Sequence, residues 1–247
     1  FYYLLQDKNV EFVKGYPAIL NKAMRLGEID ISPTSSIEFA RNHNLYKVHS
    51  SVCVSSIGAV KSVNLYSNYK VNELNGKKVY FTKESNTSTV LCRIVLEQFY
   101  NIKPVYVNDE NNSDASLLIG DKALFEYYNT TKPYVIDLGL EWYNFTKLPF
   151  VFALWIINNN AVKKDYFETL YNNITKYAAL FPKDISSLAP KYLSLGYSLE
   201  QLEDYWNTIV YEISPEHIKG LSLFYNLAYE LGESSSNGAD FINKAFI

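Results

Sequence analysis

The sequence predicts an α/β fold with parallel sheets. Strand-like and helix-like segments alternate through the first 155 residues and helices dominate after that, the pattern of successive βαβ units. The length of 247 residues fits one large domain or two small lobes at roughly 150 residues per domain. Three times, moreover, a strand-like segment ends in a cluster of small or hydroxyl-bearing residues that opens a helix. In open α/β sheets such loops lie at the carboxyl ends of strands, where ligands bind.

Pro17 to Leu26 reads as a short helix: proline suits its first turn, Ile19, Leu20, Ala23 and Met24 share a face, and Gly27 stops it. Ile29-Asp30-Ile31 is a short strand that runs into Ser32-Pro33-Thr34-Ser35-Ser36, a capping run ahead of a helix at Ile37 to Arg41. Ser51 to Ser67 is β-rich, with Val60, Ser62 and Asn64 on one face and Val63 and Leu65 on the other. Lys77 to Thr82 is the next strand, after which Ser85-Asn86-Thr87-Ser88 caps a helix whose apolar stripe is Leu91, Ile94, Val95 and Phe99. Val105 to Val107 and Ala115 to Ile119 are strands, the second ending at Gly120-Asp121 with a helix through Tyr128. Tyr134 to Leu138 and the long apolar run Leu148 to Ile157 complete the strands.

Two late helices carry clear start signals. Ser198 with Gln201 makes a capping box. Ser214-Pro215 starts another helix, which turns Ile218, Leu221, Tyr225 and Ala228 inward and ends at Gly232. There is no internal repeat and no Gly/Ser linker, so two lobes would be joined by strands.

Composition narrows the function. Apolar residues are 48% and charged residues 20% of the chain, which excludes disorder. A net charge of −3 without a long basic run gives no face for nucleic acid. No apolar run approaches the roughly 20 residues that cross a bilayer, so no membrane partner is expected. Cys53 and Cys92 form no paired motif, which excludes a disulfide scaffold and a zinc site and suits buried thiols in a reducing cytoplasm. The 22 tyrosines are a compositional bias. The chain opens at Phe1 in an apolar stretch, Phe1-Tyr2-Tyr3-Leu4-Leu5, without methionine, so residues are expected upstream.

Helix starts leave backbone N–H groups unpaired and carry partial positive charge, so they hold carboxylates and phosphates. Any one of the three clusters alone reads as an ordinary cap. Three at corresponding strand ends point to an anion site.

Four blocks, in order from about residue 17 to residue 157, carry a resemblance to a known family. They are Ser32-Pro33-Thr34-Ser35-Ser36-Ile37-Glu38-Phe39-Ala40-Arg41-Asn42, Gly58-Ala59-Val60-Lys61-Ser62-Val63, Leu118-Ile119-Gly120-Asp121-Lys122-Ala123-Leu124, and Asp137-Leu138-Gly139-Leu140-Glu141-Trp142 with Leu148-Pro149-Phe150-Val151-Phe152-Ala153 after it. Together they resemble the MqnA family, chorismate dehydratases of the futalosine route to menaquinone. The resemblance implies a two-lobed periplasmic binding protein type II-like fold with two crossing hinge strands. Those strands would be Ala59 to Tyr66 outward and Leu148 to Trp155 returning, with residues 1–64 and 149–247 in lobe I and 65–148 in lobe II. Family members begin with a strand carrying I-x-Y-L-N-x-L-P-F, whose Asn is functional. Phe1-Tyr2-Tyr3-Leu4-Leu5 resembles the family segment just after that L-P, so the Asn is expected upstream of Phe1.

The resemblance further implies loss of water from chorismate to give 3-[(1-carboxyvinyl)oxy]benzoate. By position Ser62 matches the family's functional serine, hydrogen bonding to the leaving hydroxyl or an enolpyruvyl oxygen. Ser35, Ser36, Thr87, Ser88 and the backbone at Gly120 and Asp121 are the carboxylate-holding candidates, with Asp121 expected to cap its helix while its N–H serves the ligand. No metal and no cofactor are expected. His43, His49 and His217 lie outside the matching blocks and read as surface or structural residues. The base is therefore expected to be the substrate's own enolpyruvyl carboxylate, helped by conformation and desolvation. Glu141 and Trp142 read as lobe-stabilising before substrate-contacting, and Phe150, Phe152 and Trp155 as core, although one could wall the ring. The rival readings are a 1,4-dihydroxy-6-naphthoate synthase-like enzyme, which should need a base in the cleft, and a non-catalytic solute-binding protein of the same fold.

Overall fold

A computed structural model describes residues 10–15, 17–82, 86–238, 242 and 245–247. The Phe1-Tyr2-Tyr3-Leu4-Leu5 stretch and Ser85 lie outside the described residues. Among those described, strands build two sheets. The first has the order β1-β8-β2-β9, from Ile31–Ser35, Phe150–Asn158, Tyr46–Ser56 and Ile209–Glu212. The second has the order β5-β4-β6-β3-β7, from Val105–Val107, Lys78–Phe81, Ala115–Ile119, Val63–Ser67 and Tyr134–Asp137.

The strand directions correct the expectation of parallel sheets. Every pairing in the first sheet is antiparallel. In the second, β4 runs parallel to β5 and β6, but β3 is antiparallel to both of its neighbours. Alternating strands and helices give parallel pairs only where a crossover returns to the same sheet, and here the chain changes sheet between β2 and β3.

Registers fix which strand ends lie together. In the first sheet Ser35 lies beside Ala153, and Ser56 lies beside both Phe150 and Ile209. The ends of β1 and β2 and the starts of β8 and β9 therefore share one edge. In the second sheet Phe81 lies beside Leu117, Val63 beside Ile119 and Asn64 beside Asp137. The ends of β4, β6 and β7 and the start of β3 share an edge in turn. The chain passes from the end of β2 to the start of β3 through the turn at 57–62, and from the end of β7 to the start of β8 through helix α5, Leu138–Thr146. Both connections join these two edges, so the edges face each other across a seam. The extended stretches expected at 59–66 and 148–155 are found at Val63–Ser67 and Phe150–Asn158, each within one sheet.

The helices are close to expectation because their signals are local. α1 spans Pro17–Leu26, α2 Ser36–Asn42, α3 Asn86–Arg93 with a π-helical extension Ile94–Phe99, and α4 Gly120–Asn129. After α5 come α6 (Phe167–Leu188), α7 (Leu199–Trp206) and α8 (Pro215–Glu230). The Ser198 hydroxyl accepts from the Gln201 N–H at 3.1 Å while Gln201 Oε1 accepts from the Ser198 N–H at 2.8 Å, the reciprocal box that the sequence predicts. One main core runs through both sheets and their helices, with Ile37 and Phe39 of α2, Leu91 of α3, Trp142 of α5, Phe150 of β8 and Phe224 of α8 all buried in it. Trp142 packs edge-on to Phe150 at 5.2 Å between ring centroids, and Phe150 edge-on to Phe224 at 5.0 Å. α8 approaches the chain so closely at Pro149 that a Cβ on Gly220 would sit 2.3 Å from the Pro149 carbonyl oxygen.

Candidate active site

The three helix starts lie on the two facing edges. α2 leaves the end of β1, α3 comes after β4, and α4 after β6. Two of them touch directly: Thr87 Oγ1, in the first turn of α3, accepts from the backbone N–H of Ile37, in the first turn of α2, at 3.1 Å. The third is bonded to the expected catalytic residue, since the Gly120 N–H donates to the Ser62 carbonyl at 2.8 Å. β4 and β6 are neighbouring parallel strands, and α3 and α4 both pack against β6.

The candidate residues differ in what remains available. Ser35 ends β1 and occupies the N-cap position of α2, but its side chain makes no capping bond. Asn21 Nδ2 donates to its hydroxyl at 3.5 Å. The run Ser32 to Ser36 is thus corrected: Ile31–Ser35 is a strand, and the Ile37 amide of α2 is capped by Thr87 of α3. Ser36 is fully buried and donates its only hydroxyl proton to the Val151 carbonyl at 2.6 Å. Thr87 and Ser88 are buried in the first turn of α3. The Gly120 N–H is held by the Ser62 carbonyl. Asp121 does not cap α4, which has Ile119 at its N-cap position and no side-chain capping bond. It stands exposed in the first turn, where a carboxylate favours the helix dipole.

Ser62 is buried and lies at the end of a tight turn. Lys61 before it has φ +62°, and the Ser62 N–H donates to the Val60 carbonyl at 2.8 Å. The turn is stitched to α5 by Asp137, a residue assigned no role from sequence. Its carboxylate accepts from the N–H of Val60 at 3.0 Å, of Lys61 at 2.7 Å and, as the N-cap of α5, of Leu140 at 3.0 Å. Burial pushes the Asp137 carboxyl up, against those backbone donors. A Cβ at Gly139 would lie 2.7 Å from the Gly58 carbonyl, so the Asp-Leu-Gly run joins both connections between the sheets. The signal was present in the block Asp137-Leu138-Gly139, but its partner turn was not deducible.

The remaining expected residues take structural places. Glu141 accepts from the Tyr100 hydroxyl at 2.6 Å, and Trp142 is fully buried. Phe150 is core and Phe152 packs on it at 4.7 Å, whereas Trp155 lies in a separate cluster with Ile174 of α6. His49 is buried and stacked on Tyr171, and His217 shares a 2.7 Å hydrogen bond with Ser214 at the start of α8. His43 lines a cavity of about 660 Å³ with Lys47 and Lys163. Neither that cavity nor one of about 510 Å³ lined by Phe12, Pro33 and Trp155 contains the expected site residues. Among the described residues no three His, Cys, Asp or Glu side chains gather into a metal-sized group.

Two α/β sheets joined by two connections, with helix starts meeting at the seam, define the fold of the periplasmic binding proteins. The chain is similar to the alkanesulfonate-binding protein SsuA of Xanthomonas axonopodis pv. citri (TM-score 0.66, 16% identity, 94% of this chain and 85% of that one). It is equally similar to a structural-genomics protein of Archaeoglobus fulgidus (TM-score 0.67, 20% identity, 90% and 86%). A Candida albicans protein described as having the generic periplasmic binding protein fold also matches (TM-score 0.61, 13% identity, 96% and 86%). The family model for menaquinone biosynthesis matches residues 1–230, and the chain belongs to that family. Curated relatives include the chorismate dehydratases of Campylobacter jejuni (30% identical over 224 residues, 87% of this chain and 82% of that protein) and of Thermus thermophilus (29% over 175 residues, 62% and 64%). The match thus spans less than two thirds of the Thermus relative's length.

Proposed function

We propose that the chain is a chorismate dehydratase, a hydro-lyase that takes water from chorismate to give 3-[(1-carboxyvinyl)oxy]benzoate. The observation that carries the reading is that the starts of α2 and α3, one from each sheet, are joined by the Ile37–Thr87 hydrogen bond, while the start of α4 is bonded to Ser62. Chorismate bears two carboxylates, and helix N-termini are where carboxylates are held. The hydrogen removed sits on the ring carbon bearing the ether and is acidified through the diene by the ring carboxylate. As it leaves, charge flows onto the carboxylate oxygens, the neighbouring hydroxyl departs as water, and the ring becomes aromatic. Amide donors at the α2 and α3 starts, and at Asp121 and Lys122 in α4, would stabilise that charge as an oxyanion hole does, each worth about 2.7–4 kcal/mol.

The three histidines support a substrate-derived base, since His49 is bonded to the Tyr171 carbonyl, His217 Nδ1 is bonded to Ser214 and His43 lines another cavity. The same placement disfavours the naphthoate synthase-like reading. Ser36, Ser62, Thr87 and Ser88 are all buried, so ligand entry requires the sheets to part at the 57–62 turn and α5. Cys53 and Cys92 are both buried free thiols, which supports a reducing, cytoplasmic setting. No helix among the described residues is long and apolar enough to cross a membrane.

Incubation of the protein with chorismate, with mass spectrometry as the readout, should show loss of one water. Binding without that loss would instead favour a solute-binding protein. Ser62→Ala should lower kcat on the order of a hundredfold and change substrate affinity little; an unchanged rate would remove Ser62 from the mechanism.

A further inference from the structure

We propose that Asn64, the second residue of β3, is the positioning residue for Ser62: its side-chain amide fixes the peptide that leads into the serine and ties that peptide to α4. The proposal rests on the dehydratase reading and adds to it a residue that the sequence places only on a strand face.

Asparagine is uncommon in strands, and its amide is costly to bury unless bonded. Asn64 is nevertheless fully buried in β3, between Leu118 of β6 and Asp137 of β7. Its Nδ2 carries two protons and uses both, donating to the Lys61 carbonyl at 2.5 Å and to the Tyr66 hydroxyl at 3.0 Å. Tyr66 lies two residues further along the same face of the strand. Its hydroxyl donates to the Ala123 carbonyl of α4 at 2.5 Å. A chain of hydrogen bonds therefore runs from the turn before Ser62, through Asn64 and Tyr66, into the helix whose Asp121 and Lys122 amides the dehydratase reading assigns to the substrate.

The Lys61 carbonyl and the Ser62 N–H belong to one planar peptide. Asn64 holds the carbonyl end of that plane, and the Val60 carbonyl holds the N–H end at 2.8 Å. The following plane is held at the Ser62 carbonyl by the Gly120 N–H at 2.8 Å. With the planes on both sides fixed, the backbone angles of Ser62 are fixed too, and with them the direction of its Cα–Cβ bond. Lys61 has φ +62°, in the left-handed region that residues with a side chain seldom occupy. Such a backbone persists only where its surroundings over-determine it, and Asn64 supplies the bond that the Lys61 carbonyl receives. Without that bond the peptide is freer to rotate, and a reacting group misplaced by about 1 Å can lose on the order of a hundredfold in rate.

The test uses the full chain and compares wild type, Asn64→Leu, Ser62→Ala and the double variant. Leucine is close to asparagine in shape and removes the donor. Asn64→Leu should lower kcat about tenfold, with chorismate affinity within about twofold of wild type, and should cost nothing further in the Ser62→Ala background. Tyr66→Phe, which keeps the ring and cuts the link from Asn64 to α4, should lower kcat in the same sense by a smaller factor, and it decides the matter if Asn64→Leu does not fold. An equal loss in both backgrounds, as a merely structural role would give, or an unchanged kcat would overturn the proposal. Amide hydrogen exchange needs no substrate: in Asn64→Leu, exchange at residues 60–64 should rise about tenfold relative to that of β8. If wild type fails to dehydrate chorismate, the functional reading falls; unchanged exchange at residues 60–64 would overturn the positioning role independently.

Discussion

At the scale of single residues, the buried polar groups show how much of this structure depends on one atom being in place. Asp137 has three backbone N–H partners drawn from two different connections. Asp137→Asn keeps the shape but turns an NH₂ toward donors, leaving buried N–H groups unpaired. It should lower stability by about 2–3 kcal/mol, read as a shift in urea midpoint at constant slope. His49 gives a pH-dependent counterpart. Its Nδ1 accepts from the Ser51 N–H at 3.2 Å, which leaves Nε2–H to donate to the Tyr171 carbonyl at 3.2 Å. Burial, opposed by that carbonyl, pushes its pKa from 6.5 to about 4. Between those values the unfolded chain binds a proton that the native protein refuses, so stability must fall as pH drops from 6.5 toward 4, by up to roughly 3 kcal/mol. His217, also lowered by burial, adds to the same slope. Urea titrations at pH 7.5 and 5 should show the loss, and His49→Gln should remove a large part of the slope.

At the scale of elements, the seam is made by two helix starts that complete each other. α2 has no capping side chain of its own, and Thr87 supplies the oxygen from α3. Thr87→Val should cost about 1 kcal/mol, within the range for a lost cap, while Thr87→Ser, which keeps the oxygen, should cost much less; denaturant titration separates the two. The same contact explains what was legible beforehand. α1, α7 and α8 were readable because their start and stop signals lie within a few residues, as with Ser198 and Gln201. The position of the helix starts was also readable, because strand ends and hydroxyl clusters are neighbours in sequence. Their availability was not. Whether Ser36 has a free proton depends on Val151, 115 residues away, and whether Gly120 has a free N–H depends on Ser62. Strand direction failed for the same reason: the antiparallel first sheet takes β8 and β9 from beyond the second sheet in sequence, and no local period reports that.

At the scale of the whole molecule, the proposed parting of the sheets would separate α2 from α3, and a second tie holds these helices together. Glu233, just beyond α8, pairs through one carboxylate oxygen with Arg41 of α2 at 2.7 Å and through the other with Arg93 of α3. Its backbone carbonyl accepts from Arg41 Nε at 2.9 Å. Arg93 also pairs with Glu97 at 2.8 Å, and Glu97 accepts from the Tyr106 hydroxyl at 2.7 Å. Burial acts to raise the Glu97 carboxyl, but the bonds from Arg93 and Tyr106 outweigh it and leave it below its ordinary value. The network is therefore charged at neutral pH. Its groups are partly exposed, so its strength should fall with added salt. Glu233→Gln should lower stability by up to about 1 kcal/mol at low ionic strength and raise the radius of gyration of the unliganded protein in small-angle scattering. Both differences from wild type should shrink in about 0.5 M salt, where the screening length is on the order of 4 Å, because wild type then loses the same attraction. Scattering curves that coincide at low salt would mean that Glu233 does not hold the sheets together, and that the Thr87 contact and the main core do so unaided.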